Sequence, residues 1–428
     1  MLFGIAMAFL ALVPGAASAQ PVTCGQTITR DTTLHADLGP CPGDGLVIGA
    51  DNVTLNLNDH KIVGNAAGED VGVLDDGHGG VVVENGRIRG FFVSIKLDAA
   101  DGSRVSHMTE TETSCCHLHF VEVLDSSGSQ IENNISFATG DQTVFVVSGS
   151  NNSVENNVAA RGSESDIVSF SVSGSQNNIR ENVDRHEGGG MRIIGSRNRI
   201  THNKVDEGER PPLGAVDVEG ARNLVAANTM GDIDNGTSVV GTGNVIRNNV
   251  VGIGPNASIT GGLIVGDCRN VRVEGNVVYN PVQLSGCDGA RMEDNRVAGG
   301  PIMVRVGSGN LIQNNDVSDT ESYGIIVSGG SDNSVEQNTV SETELTGILV
   351  GPFSGAGHSV GTTVKGNLAT RAGDDGIHVD DPGTLIADNT ANDNADLGIE
   401  AVPGVIDGGG NTASGNGNPL QCLNVVCS

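Results

Sequence analysis

One stretch near the carboxyl end concentrates groups able to move protons or hold a cation: Arg371-Ala372-Gly373-Asp374-Asp375-Gly376-Ile377-His378-Val379-Asp380-Asp381-Pro382. About one repeat further on lie Asp396 and Glu400, and earlier in the chain come Glu344 and Tyr323. Carboxylates forced together raise one another's pKa, which is what acid–base catalysis requires. At a spacing of about 5 Å they also match the pair used by retaining glycosidases. On these grounds Asp375, His378 and Glu400 are the expected catalytic groups. Asp374, Asp380, Asp396, Arg371 and Tyr323 are expected to bind substrate. The same oxygens suit Ca²⁺, and a plain solvated acidic face is the third reading.

These residues meet only if the fold brings successive repeats into register. A branched aliphatic or Met, two variable residues and then Asn recur from Ile131–Asn134 through Ile386–Asn389, at intervals of 19 to 29 residues. Between the tags, apolar residues alternate at period two, and Gly, Ser, Asn and Asp fill the corners, as in Gly324-Ile325-Ile326-Val327 followed by Ser328-Gly329-Gly330-Ser331-Asp332. That pattern predicts short strands and turns. A repeat this short cannot bury its own apolar face, so it must stack on its neighbours. Each strand then pairs in parallel with its counterpart one coil away, and such crossovers are right-handed.

The expected fold is therefore all-β, a right-handed parallel β-helix solenoid of about 15 coils and roughly 70 Å, capped at both ends. The tag Asn is expected to take the left-handed turn conformation and to stack its amide on the next Asn. In this register Glu400 falls beside His378, Asp396 beside Asp374, and Tyr323 in the column of Asp375.

Eight cysteines are present. Cys268 and Cys287 are separated by 19 residues, as are the tags Asn276 and Asn295, so they are expected to form a disulfide between adjacent coils. Cys24 with Cys41 and Cys422 with Cys427 complete the expected set. Cys115, His117 and His119 alternate and could share a metal such as zinc or copper. A vicinal disulfide between Cys115 and Cys116 is the competing reading.

Residues 1–19 read as a secretory signal, with an apolar run to Val13 and the small residues Ala17-Ser18-Ala19. Export into an oxidising compartment, extracellular or periplasmic, fits the cysteines. Residues 20–45 are the expected amino-terminal cap, 46–403 the solenoid and 404–428 a disulfide-closed carboxyl-terminal cap. No segment is long enough for an apolar membrane span. The net charge of −29 argues against a nucleic-acid partner. It also disfavours a polyanionic ligand unless a cation such as Ca²⁺ bridges the two. With nine Phe, two Tyr and no Trp, the core must be aliphatic and aromatic platforms for sugar rings are few.

The string Gly324-Ile325-x-Val327…Ser331-x-Asn333-x-Val335-x-x-Asn338-x-Val340 resembles the right-handed β-helix superfamily of carbohydrate-binding proteins and sugar hydrolases. Within it the repeats are similar in style to those of the NosD type, named for a periplasmic copper-maturation protein. The resemblance covers about residues 45–415. It implies an extracellular or cell-surface polysaccharide as partner, acted on by a hydrolase or a lyase. A non-catalytic surface-binding or adhesive rod and a metal-handling accessory protein are the alternatives it leaves open. Gly373-Asp374-Asp375 looks like the paired-aspartate motif of polygalacturonases. The remaining motifs of that family have their nearest counterparts far upstream, at Gly77-His78-Gly79 and Arg87-Ile88-Arg89, so that activity is not assigned. By resemblance to lyases of this fold, Arg371 would be the base beside acidic Ca²⁺ ligands.

Overall fold

The computed structural model describes residues 21–111, 118–137, 143–160, 168–185, 189–205, 215–231, 236–253 and 262–428. Among them every regular element is a strand, and successive strands fall into three columns. One column forms a continuous ladder of eighteen parallel strands, from Gln26–Ile28 to Cys422–Leu423. The first and last of these belong to the segments expected as caps, and the strands between them make about fifteen turns. The other two columns alternate along the chain, as Ser153–Glu155 and Val158–Ala160 do, each pairing one coil onward with Asn178–Arg180 and Val183–Arg185. No helix among the described residues is long and apolar enough to cross a membrane, which leaves strands untested in that respect.

Alternation decides what each residue does. In Ile325–Ser328, Ile325 and Val327 point inward and are fully buried, and the same holds for Ile348 and Val350, Ile377 and Val379, and Ile399 and Ala401. Stacking places like on like, so each aliphatic side chain packs on the equivalent one in the coils before and after. Near the amino-terminal third, Phe120, Phe145 and Phe170 continue this into a short aromatic stack, with centroids 5.7 and 4.9 Å apart.

The tag asparagines form a ladder of thirteen, from Asn134 to Asn411, one more than the tag itself reveals. Asn203 shows the pattern. Its Nδ2 donates to Ile179 O at 2.9 Å and to Asn228 Oδ1 at 3.0 Å, while its own Oδ1 accepts from the Asn182 amide N and Nδ2. One side chain thus satisfies two backbone groups of the preceding coil that the turn would otherwise bury unpaired. The left-handed conformation was expected at the tag Asn and is found one residue earlier, at Asn133, Asn156, Glu181, His202 and Ala227 among others. The reason is steric economy. The positive-φ residue points to solvent, which frees the next side chain to turn inward and bond. A second ladder runs through Asn152, Asn177, Asn198, Asn223 and Asn244 and resumes at Asn310 and Asn333.

Three disulfides are present: Cys24–Cys41, Cys268–Cys287 and Cys422–Cys427. The second joins adjacent coils, with Cα atoms 4.4 Å apart.

Candidate active site

Strand Ile377–Val379 pairs with Ile399–Ala401 so that His378 stands directly beside Glu400 on the outward face of the long ladder. The preceding member of that outward column is Leu349, and the following one is Leu423. Chain entry into Ile377–Val379 is tightly fixed. A Cβ on Gly373 would lie 2.2 Å from Glu344 O, so only glycine lets the two coils approach this closely.

Asp375 follows at the corner and is 1% exposed. Its Oδ1 accepts the Leu397 amide of the next coil at 2.9 Å, and its Oδ2 accepts from His378 Nδ1 at 2.8 Å. The ring is gripped on every side. Nδ1 also lies 3.3 Å from Glu400 Oε2, and Nε2 donates to Asp380 Oδ1 at 3.2 Å.

Three carboxylates around one imidazole favour its charged form. The hydrogen bond to Asp375 is the main cause, partly opposed by burial and reinforced by Asp380, and it lifts the His378 pKa to about 9. Burial pushes Asp375 upward, but the bonds from His378 and the Leu397 amide outweigh it and its pKa ends below the usual carboxylate value. Glu400 moves the other way. Its hydrogen bond with Asp375, its partial burial and the nearby Asp396 raise its pKa, against the pull of His378. The two neighbouring carboxyls thus shift in opposite directions.

The remaining expected residues divide into those the fold brings in and those it does not. Asp374 and Asp396 are exposed on neighbouring coils, and an oxygen from each lies within 4.8 Å of an Asp375 oxygen. Asp374 Oδ2 accepts from Thr346 Oγ1, and Asp396 Oδ1 from Asn418 Nδ2. Asp375, expected as an acid or base, is buried and bonded to His378, because the corner turns its carboxylate toward the Leu397 amide. Arg371, expected beside Asp374 and Asp375, is exposed and donates twice to Glu342 Oε1, at 3.1 and 2.9 Å. Its left-handed backbone at the preceding corner directs the side chain to that partner.

Tyr323 stands two coils back, half-buried, with its ring against Phe353 at 5.6 Å in an edge-on arrangement. Phe353 and its loop were missed by sequence reasoning. The signal was the longest tag interval, the 29 residues from Asn338 to Asn367.

Of the second candidate cluster, Cys115 and His117 lie outside the described residues. His119 is half-buried and its Nδ1 donates to Thr143 O at 2.8 Å. The expected signal at 1–19 also lies outside the described residues.

Coils wound in this way make the chain a right-handed parallel β-helix. Residues 256–390 match the family described as the right handed beta helix region. No curated protein matches the sequence. Among solved structures the chain is similar to the Azotobacter vinelandii mannuronan C-5 epimerase AlgE4 A-module (12% identity, 89% of this chain and 91% of that one, TM-score 0.24). It is also similar to the catalytic domain of a GH87 alpha-1,3-glucanase in complex with nigerose (12% identity, 87% and 64%, TM-score 0.31). A PL6 alginate lyase in complex with trisaccharide is a third (11% identity, 95% and 83%, TM-score 0.35). No residue role passes from these proteins to this chain.

Proposed function

We propose that the chain is an exported glycoside hydrolase that attacks an extracellular polysaccharide at the His378–Glu400 site. The observation that carries this is a partly exposed Glu400 whose pKa is raised by Asp375, set beside a protonated His378 on the outward face. A carboxyl group that keeps its proton above the usual range is what a glycosidic oxygen needs as the C–O bond breaks. Glu400 donates that proton. Water adds at the anomeric carbon and gives its own proton to Asp380 or Asp396. The two carboxyls differ in environment, which separates their roles. His378 holds the carboxyl groups of Asp380 and Glu400 in place around the substrate, and Asp375 positions the ring. Hydrolysis is favoured over β-elimination because Arg371, the expected base for elimination, is engaged by Glu342.

A cation reading has its own support. Oxygens of Asp374, Asp375 and Asp396 lie within 4.8 Å of one another, a set suited to Ca²⁺. A bound Ca²⁺ there would allow a polyanionic glycan to approach a chain of net charge −29. Export rests on the three disulfides, which persist in oxidising compartments.

The test is incubation with alginate, pectate, glycosaminoglycans and neutral glycans, with and without Ca²⁺. New reducing ends without ultraviolet-absorbing products, lost in Glu400→Gln, are expected. Unsaturated products would replace hydrolysis by elimination. If no glycan is cleaved and none binds differently to His378→Asn, the enzymatic reading falls and a non-catalytic rod replaces it.

A further inference from the structure

Outward positions of the long ladder are normally half-exposed, as at Gln283 and Met303. Two large apolar residues are among those that depart from this. Ile326 is 1% and Leu349 8% exposed, although both point away from the core. Beside them runs the segment 351–362, which links Ile348–Val350 to Thr363–Lys365 and bonds Ser328 in the strand of Ile326. This link is twelve residues long, whereas the coils on either side use five, 329–333 and 380–384.

The extra length folds back as a strap over the preceding coils. The Phe353 amide donates to Ser328 Oγ at 2.8 Å, and its ring meets Tyr323. Arg305, two coils back, donates to Ser354 O at 3.1 Å. Gly357 lies over Gly329. A turn closed by the Ala356 amide on Phe353 O holds the tip. The far end is pinned forward, since His358 Nδ1 and the Ser359 amide both bond the buried Asp381 carboxylate. The strap is thus tied to coils on both sides and forms a fixed wall beginning one strand from His378.

On the other side of His378 the next members of the outward column are Glu400 and Leu423, with no comparable strap over them among the described residues. A glycan lying along the solenoid axis can therefore extend past Glu400, but meets Phe353 and Tyr323 in the opposite direction. Half-exposed aromatic faces are what a sugar ring stacks on. Resting on the hydrolase reading above, we propose that the strap makes the site blind on one side, so that it takes the terminus of a glycan chain and releases short products from that end. Phe353 and Tyr323 would be the platform for the terminal ring.

The experiment follows product size over time on whichever glycan the panel shows to be cleaved. Mono- or disaccharide from the first minutes, with the polymer's size-exclusion peak nearly unmoved, is expected. A variant in which residues 352–357 are replaced by two glycines should lower polymer size early and give a ladder of intermediate products. Phe353→Ala should raise KM several-fold with kcat less changed, and its unaltered far-ultraviolet circular dichroism would show that the coil is intact. Early mid-chain cutting by the unmodified protein overturns the chain-end inference and leaves the hydrolase reading standing. Absence of cleavage and binding across the whole panel overturns both.

Discussion

The charge state of His378 can be tested without knowing any substrate. Its pKa rises from 6.5 to about 9 in the folded protein, chiefly through the bond to Asp375. At 1.36 kcal/mol per unit, that gap corresponds to roughly 3 kcal/mol of stability. The ring is 24% exposed, so solvent screens only part of it. Between the two values the folded state holds a proton that the unfolded chain has lost. Stability from this source is therefore complete below about pH 6.5 and gone above about pH 9. Urea unfolding of the wild type and His378→Gln at about pH 6 and about pH 10 isolates the effect, because the general repulsion of an acidic chain cancels in the difference. The wild type should lose about 3 kcal/mol more than the variant across that interval. A histidine-ring NMR titration reads the pKa directly, and Asp375→Asn should bring it down. Equal losses in both proteins, or a His378 midpoint at or below the free value, would refute the electrostatic account of the site.

Asn203→Ala should lower stability by about 2–4 kcal/mol, since it removes two donated bonds and leaves the buried Asn182 amide without its acceptor; thermal denaturation by circular dichroism measures it. Replacing both Cys268 and Cys287 by Ser should cost about 3 kcal/mol for a loop of this size, read as a lower urea midpoint under non-reducing conditions. Asp75 is fully buried in register with Leu97, bonds His78 at 2.8 Å and leaves Oδ2 without a partner. Burial raises its pKa, so its ionised form opposes folding at higher pH. Asp75→Leu should therefore stabilise by about 1–2 kcal/mol near pH 8 and by less below the free carboxylate pKa; denaturant unfolding at the two pH values decides it.

The solenoid explains why so much of the site could be read from the chain. Once the tag interval is known, positions one interval apart become neighbours, and the Cys268–Cys287 and His378–Glu400 pairs follow by counting. What counting cannot reach is direction at the corners. Asp375 precedes its strand, and counting does not reveal that its carboxylate is buried on the Leu397 amide and His378. Arg371 likewise answers to Glu342, a partner one coil back that its own segment does not reveal. The strap announced itself only as a long interval. Its path depends on Phe353 meeting Tyr323 and on Asp381 capturing two residues at once, contacts with no periodic signature. The second Asn ladder was visible, since each member stands two residues before a tag aliphatic, as Asn198 does before Ile200.

Side chains of the long Asn ladder, such as Asn203, donate forward to the next Asn and back to a carbonyl of the coil before, so each coil is held mainly by the two it touches. Pulled from that end, such a rod would yield one turn at a time, each release handing the load to the next. The Cys268–Cys287 link would interrupt this unravelling partway along, leaving the amino-terminal half wound while the half bearing His378 came loose.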